Sequence, residues 1–91
     1  MPVPPKDRQS LLELTVTLLA DQLEMQADAL DPAQSFMDLG LESVEAVFLC
    51  GALEERLGIG IDPVLVFEAA SVAAFAEAVW QLCPPAQEHA S

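Results

Sequence analysis

Basic side chains are scarce in this sequence. Its 91 residues hold three Lys and Arg against fifteen Asp and Glu, a formal net charge of −12. Nucleic acid is excluded as a partner, because gripping phosphates takes clustered cations. An anionic membrane surface is disfavoured by the same sign argument. Histidine occurs once, as His89, and cysteine twice, as Cys50 and Cys83, none of them at metal-ligand spacing. The cysteines read as two buried thiols in a reducing cytoplasm rather than as a disulfide. No Gly-rich phosphate loop is present, and no serine, histidine and acid could converge, since His89 would have to fold back from a proline-rich tail. Asp28, Asp31 and Asp38 lack calcium-loop spacing. No apolar run reaches the ~18 residues of a membrane span, and no charged-then-apolar leader opens the chain. The expectation is a cytoplasmic, non-catalytic protein with no nucleic-acid, metal or membrane partner.

What is present suffices for one small domain. A chain this short buries only roughly 60–65% of its unfolded surface, so it holds one core and little room for a deep pocket. Hydrophobic residues make up 53% of it, too many for a disordered acidic tail. The acidity suits protein partners with basic patches, met quickly and released easily; solubility alone is the plainer explanation.

Five of the seven prolines stand in "MPVPP" and "PPAQEHAS", which read as linkers because proline cannot sit inside a regular element. Residues 1–6 and 84–91 are therefore assigned as tails and residues 7–83 as the domain. Ser10 with Glu13 three places later matches a capping box and predicts a first helix, with Leu12, Val16, Leu19 and Leu23 as its apolar stripe. A long structured loop follows, turned at Asp31-Pro32 and pinned by Leu30, Phe36 and Leu39. The second helix runs from Glu42 or Ser43 to Leu57 and closes at Gly58. One face is Ala46, Leu49, Cys50, Leu53 and Leu57. A second apolar row, Val44, Val47, Phe48 and Gly51, belongs to a buried helix, consists of single exposed apolar residues, or faces a partner or an attached apolar cargo. Asp62-Pro63 opens a short third helix through Phe67. Ser71 caps a fourth, with the stripe Val72, Phe75, Ala76, Val79 and Leu82 and with Trp80 packing beside it. Glu54-Glu55 read as a solvated helix face. The fold class is all-α, a four-helix bundle with a short third helix and a long first connection.

Ser43 is the candidate for chemistry. A serine at a helix start is often only a cap. The same place offers unpaired backbone N–H groups and the positive end of the helix dipole, which stabilise an attached phosphate. Gly40 permits a tight approach that leaves the hydroxyl accessible. Physics allows a phosphoester at Ser43 without requiring one.

Residues 36–79, "FMDLGLESVEAVFLCGALEERLGIGIDPVLVFEAASVAAFAEAV", resemble the acyl carrier protein family. The centre of the likeness is Gly40-Leu41-Glu42-Ser43-Val44, where that family usually has Gly-Leu-Asp-Ser-Leu; "ALEERLG" and "LVFE" extend it. The resemblance implies a 4'-phosphopantetheine arm on Ser43, installed from coenzyme A by a phosphopantetheinyl transferase that holds Mg²⁺. The arm's thiol would carry an acyl group as a thioester to a ketosynthase, an acyltransferase or another synthase enzyme with a basic docking surface. It also implies that partners dock on the second helix, which nominates Glu42, Val44, Glu45, Val47, Phe48, Glu54 and Glu55 for recognition and suits a monomer. "LVFE" with Ser71-Val72-Ala73-Ala74-Phe75 looks most like polyketide synthase carriers. Peptidyl carriers commonly have histidine before the serine, and Glu42 argues against that branch. Peptidyl, aryl and fatty-acid carriage stay open, as does an unmodified acidic interaction module. The proline-rich ends fit a free-standing carrier or one domain of a modular synthase, and Met1 favours the former. Three positions depart from the family: Phe48 replaces a frequent glutamate, Ala70 a frequent proline, and Pro63 comes one place late. Phe48 is expected in a partner-specific hydrophobic contact.

Overall fold

The computed structural model describes residues 5–83, so the assigned tails lie largely outside it and His89 wholly so. Among the described residues four α-helices and no strand occur: α1 (Arg8–Gln22), α2 (Ser43–Leu57), α3 (Val64–Glu68) and α4 (Val72–Leu82), with a 3₁₀ turn at Ala27–Ala29. This is the expected all-α bundle with a short third helix and a long first connection.

α1 begins earlier than the capping box suggests. Asp7, not Ser10, is the cap: its carboxylate accepts from the Ser10 backbone N–H at 2.8 Å. The bonds to Ser10, aided by Lys6, hold the Asp7 carboxyl below its ordinary range. Ser10 thereby becomes part of the first turn, and Glu13 instead accepts from Gln9. The buried face is also rotated by one position. Leu11, Thr15, Leu19 and Ala20 are buried, whereas Leu12, Val16 and Leu23 are half-buried at its margin. Thr15 can occupy the core because its hydroxyl donates to the Leu11 carbonyl at 2.8 Å, which satisfies it inside the helix.

The long connection is held from both ends. Leu30 and Phe36 are buried, and Leu39 packs against the core. The Phe36 ring meets Phe75 of α4 edge-on, with centroids 5.3 Å apart. Asp31 makes the expected turn, its carboxylate accepting from the Ala33 N–H at 2.9 Å. The Gln34 and Pro32 carbonyls accept from the Val72 and Ala73 N–H groups at 3.0 and 2.9 Å. Loop carbonyls thus satisfy two of the donors that the start of α4 leaves without helical partners.

α3 and α4 start by local chemistry. Asp62 accepts from the Val64 N–H at 3.0 Å, with Pro63 already in helical conformation just before the first residue of α3. Ser71 Oγ accepts from the Ala74 N–H at 3.0 Å, the expected cap. Val72, Phe75, Ala76 and Val79 are buried, but Leu82 is about half exposed because the last turn of α4 extends past the core. Trp80 packs at the core's edge. Of the two thiols only Cys50 is buried; Cys83, at the end of α4, is half-buried, so the expectation of two buried cysteines holds for one. Both are free. No helix among the described residues is long and apolar enough to cross a membrane.

Candidate functional site at the start of helix α2

The approach to α2 is built to expose one residue. Ser35 Oγ accepts from the Asp38 N–H, and Leu39, Gly40 and Leu41 donate back to Ser35, Met37 and Phe36. These bonds close a single turn that ends at Gly40, whose φ of 81° is the left-handed conformation that favours glycine. Leu41 then plunges into the core, Glu42 is extended, and Ala46 is buried again one turn on. Leu41 and Ala46 anchor the backbone on either side while Glu42, Ser43 and Val44 stay in solvent.

Ser43 does not cap its helix. Glu42 occupies the cap position, and the Glu45 carboxylate reaches back to accept from the Glu42 N–H at 2.8 Å. The plain explanation for the serine is thereby removed: capping falls to its neighbours, and the hydroxyl stands exposed on the first residue of α2. The Glu45 carboxylate is engaged by a backbone donor, and the positive end of a 15-residue helix favours a phosphate bonded to Ser43.

A contact from α1 fixes this end. Gln22 Nε2 donates to the Glu45 carbonyl at 2.6 Å, partly buried and 23 residues away in sequence. It ties the last turn of α1 to the first turn of α2, a link with no sequence signature.

The other nominated residues fall into two groups. Val44, Val47 and Phe48 are exposed, Phe48 by 64%, so α2 is not buried all round, while Gly51 of the same row is half-buried. Met37 is exposed in the approach turn, and Val64 and Phe67 on α3. Glu45 is half-buried over the first turn and Glu55 is solvated. Glu54 is not simply a solvated face, because its carboxylate accepts from the Ile61 N–H at 2.7 Å and staples the α2–α3 connection. α2 then stops at Gly58, φ 71°, whose N–H returns to the Glu54 carbonyl. Among the described residues no group of three or more His, Cys, Asp and Glu could hold a metal ion.

This arrangement is that of the small helical carrier proteins. A free-standing peptidyl carrier protein from Acinetobacter baumannii is similar over 84% of this chain and 95% of its own, with a TM-score of 0.79 and 28% identity. The acyl carrier protein Asl1650 from Anabaena sp. PCC 7120, with a variant phosphopantetheinylation-site sequence, is equally similar, with the same TM-score and identity, over 92% and 96%. Residues 13–79 match the family described as the phosphopantetheine attachment site, and the chain belongs to that family. Its covalent cofactor is 4'-phosphopantetheine. Among curated proteins, mycoketide-CoA synthase of Mycobacterium tuberculosis is 33% identical over 75 residues, 79% of this chain and 2% of that protein. The non-reducing polyketide synthase terA of Aspergillus terreus is 28% identical over 67 residues, 74% of this chain and 3% of that protein. The chain thus corresponds to a small fraction of these synthases.

Proposed function

We propose that Ser43 carries the 4'-phosphopantetheine arm and that the protein presents acyl intermediates of polyketide biosynthesis, as thioesters on that arm, to partner enzymes. The observation that carries the reading is the freed hydroxyl: Ser43 is exposed on the first residue of α2 while Glu42 and Glu45 do the capping. Tethering replaces a diffusing acyl group with one held at high effective concentration beside each active site, and bond-making is left to the partners. The carrier unit is residues 7–83, monomeric and cytoplasmic. Its partners are a phosphopantetheinyl transferase drawing on coenzyme A, then a ketosynthase, an acyltransferase or other synthase enzymes.

Docking falls on α2. Glu42, Glu45 and Glu55 offer charge to basic surfaces, and Val44, Val47 and Phe48 offer apolar contact at the centre. Glu54 serves the α2–α3 connection before any partner. Weak, salt-sensitive contacts suit a shuttle that visits several enzymes. The polyketide branch is supported by the two synthases to which the chain is similar and by Glu42 in the place before the serine. Peptidyl carriage is the second reading, favoured by the equal structural likeness to a peptidyl carrier protein.

Incubation with coenzyme A and a broad-specificity phosphopantetheinyl transferase tests the attachment. Intact mass rises by one phosphopantetheine, peptide mapping finds it on Ser43, and Ser43→Ala abolishes the gain. No gain, while a known acceptor is converted in parallel, refutes the reading and leaves an unmodified acidic interaction module. Phe48→Ala and Phe48→Glu weaken binding to at least one synthase partner; unchanged affinity for every partner, with the fold intact, removes Phe48 from the docking face.

A further inference from the structure

The outward row of α2 contains a gap. Val44, Val47, Phe48 and Gly51 follow at helical spacing, and the first three are more than half exposed. Gly51 lies one turn beyond Val47 and Phe48 and one turn before Glu54 and Glu55. Bare backbone therefore interrupts the face that carries both the apolar contacts and the acids. A glycine inside a helix is unfavourable relative to alanine, because it loses more backbone freedom on folding. Close packing against a neighbouring element is the usual structural reason to keep one. None applies here: a Cβ built on Gly51 meets no atom within 4 Å. Nor does the backbone need glycine there, since Gly51 is helical and has no positive φ. The fold does not account for it.

Resting on the assignment of Ser43 as the attachment residue, we infer that Gly51 is a notch receiving an apolar side chain that projects from the phosphopantetheinyl transferase, with that enzyme's cations meeting Glu42, Glu45 and Glu55 around it. The occupant follows from distance and charge. The transferase must bring Ser43 into its active site, and eight residues of helix place Gly51 only about 12 Å further along α2. A standard interface covers about 800 Å² per partner, a patch about 30 Å across. A footprint centred on Ser43 thus reaches Gly51. The chain carries −12 and α2 has one basic residue, Arg56, in its last turn, so a partner laid along this helix is selected for positive charge. With no side chain at position 51, the helix surface next to the exposed Phe48 is left open to an apolar group inserted by the partner.

The inference predicts that stability and recognition part company. Apo wild type, Gly51→Ala and Gly51→Leu are loaded by a broad-specificity phosphopantetheinyl transferase at saturating coenzyme A, and each is melted separately. Both variants melt about 5 °C higher than wild type, because the helix gains and nothing clashes. KM for the carrier rises about tenfold in Gly51→Leu and two- to threefold in Gly51→Ala, while kcat stays within twofold. Equal KM values across the three proteins overturn the notch and leave Ser43 untouched. A wild type that gains no mass, or a Ser43→Ala variant that does, overturns the attachment and the notch with it. If Gly51→Leu melts below wild type, Gly51→Ala decides, and an unchanged KM there overturns the inference.

Discussion

Two helices of this protein start beside a serine, and they use it differently. Ser71 spends its hydroxyl on the Ala74 N–H, as a helix cap does. Ser43 stands one place further in, on the first helical residue, and two glutamates close the end of the helix instead. The same residue type at nearly the same place is structural in one case and spare in the other. The difference comes from the neighbours. Ala70 before Ser71 has nothing to cap with, so the serine does it; Glu42 and Glu45 have carboxylates to spare, so Ser43 need not. A spare hydroxyl on an otherwise finished helix end is what a covalent attachment requires, because modifying it breaks no bond that the fold depends on.

The largest test of this contrast exchanges the two serines' fates. Ser43→Ala loses phosphopantetheine loading completely, by intact mass, and its melting temperature stays within a degree or two of wild type. Ser71→Ala keeps full loading and loses about 1 kcal/mol of stability, the usual cost of deleting a serine cap, read as a shift of several degrees in melting temperature. If Ser43→Ala were the destabilised variant, the hydroxyl would be structural after all.

The cysteines form a second such pair. Cys50 is buried in α2, and its thiol is pushed up to about 11, first by desolvation and then by Glu54 and Asp62 nearby. Cys83, at the end of α4, is raised by desolvation alone and is more open. Reaction needs the thiolate, so a thiol reagent at pH 8 labels Cys83 of the apo protein first and Cys50 only when the fold opens. Mass mapping of a partly labelled sample checks the order, and equal rates would deny the difference in burial. The sign of the pH effect follows as well. An unfolded thiol gives up its proton near its ordinary 9.0, whereas folded Cys50 holds it until about 11. Its contribution to stability is therefore complete below pH 9 and declines as the pH rises toward 11.

What the sequence revealed of this architecture follows the reach of each interaction. Caps and stops are set by residues two to four apart, so Asp62, Ser71 and Gly58 were legible, as was the Asp31 turn. α1 was read from Ser10 alone, whereas Asp7 three places earlier is the cap that forms; a letter string does not rank two overlapping caps. Its buried face was hidden by Thr15, a polar letter that becomes an interior residue only by bonding the carbonyl four places back. The double apolar row of α2 was visible, but which row faces solvent depends on where α1 and α4 lie. The least legible contacts are the longest. The Glu54 staple spans seven residues and the Gln22 link 23. The identity of the candidate site was carried by Gly40-Leu41-Glu42-Ser43-Val44; the fact that Ser43 is relieved of capping needed the side-chain geometry of Glu42 and Glu45.

A third pair gives the smallest effect and the finest test. α1 and α2 both end through a left-handed residue, Glu24 with φ 60° and Gly58 with φ 71°. After α1 the Glu24 and Met25 N–H groups return to the Asp21 and Ala20 carbonyls, the bonding of a Schellman end, for which glycine is the usual residue. Glu24 tolerates a conformation that crowds its Cβ, at a cost of about 1 kcal/mol. Glycine would relieve that crowding and give part of the gain back through the freedom it adds to the unfolded chain. Glu24→Gly is therefore expected to stabilise by about 0.5 kcal/mol, and Gly58→Ala to destabilise by about 1 kcal/mol, although a Cβ at Gly58 meets no neighbour within 4 Å. Because neither substitution touches the exposed start of α2, both variants load phosphopantetheine at the wild-type rate. Chemical denaturation of the pair measures the two signs, and a destabilised Glu24→Gly would mean that the glutamate side chain holds this helix end by a contact worth more than the strain.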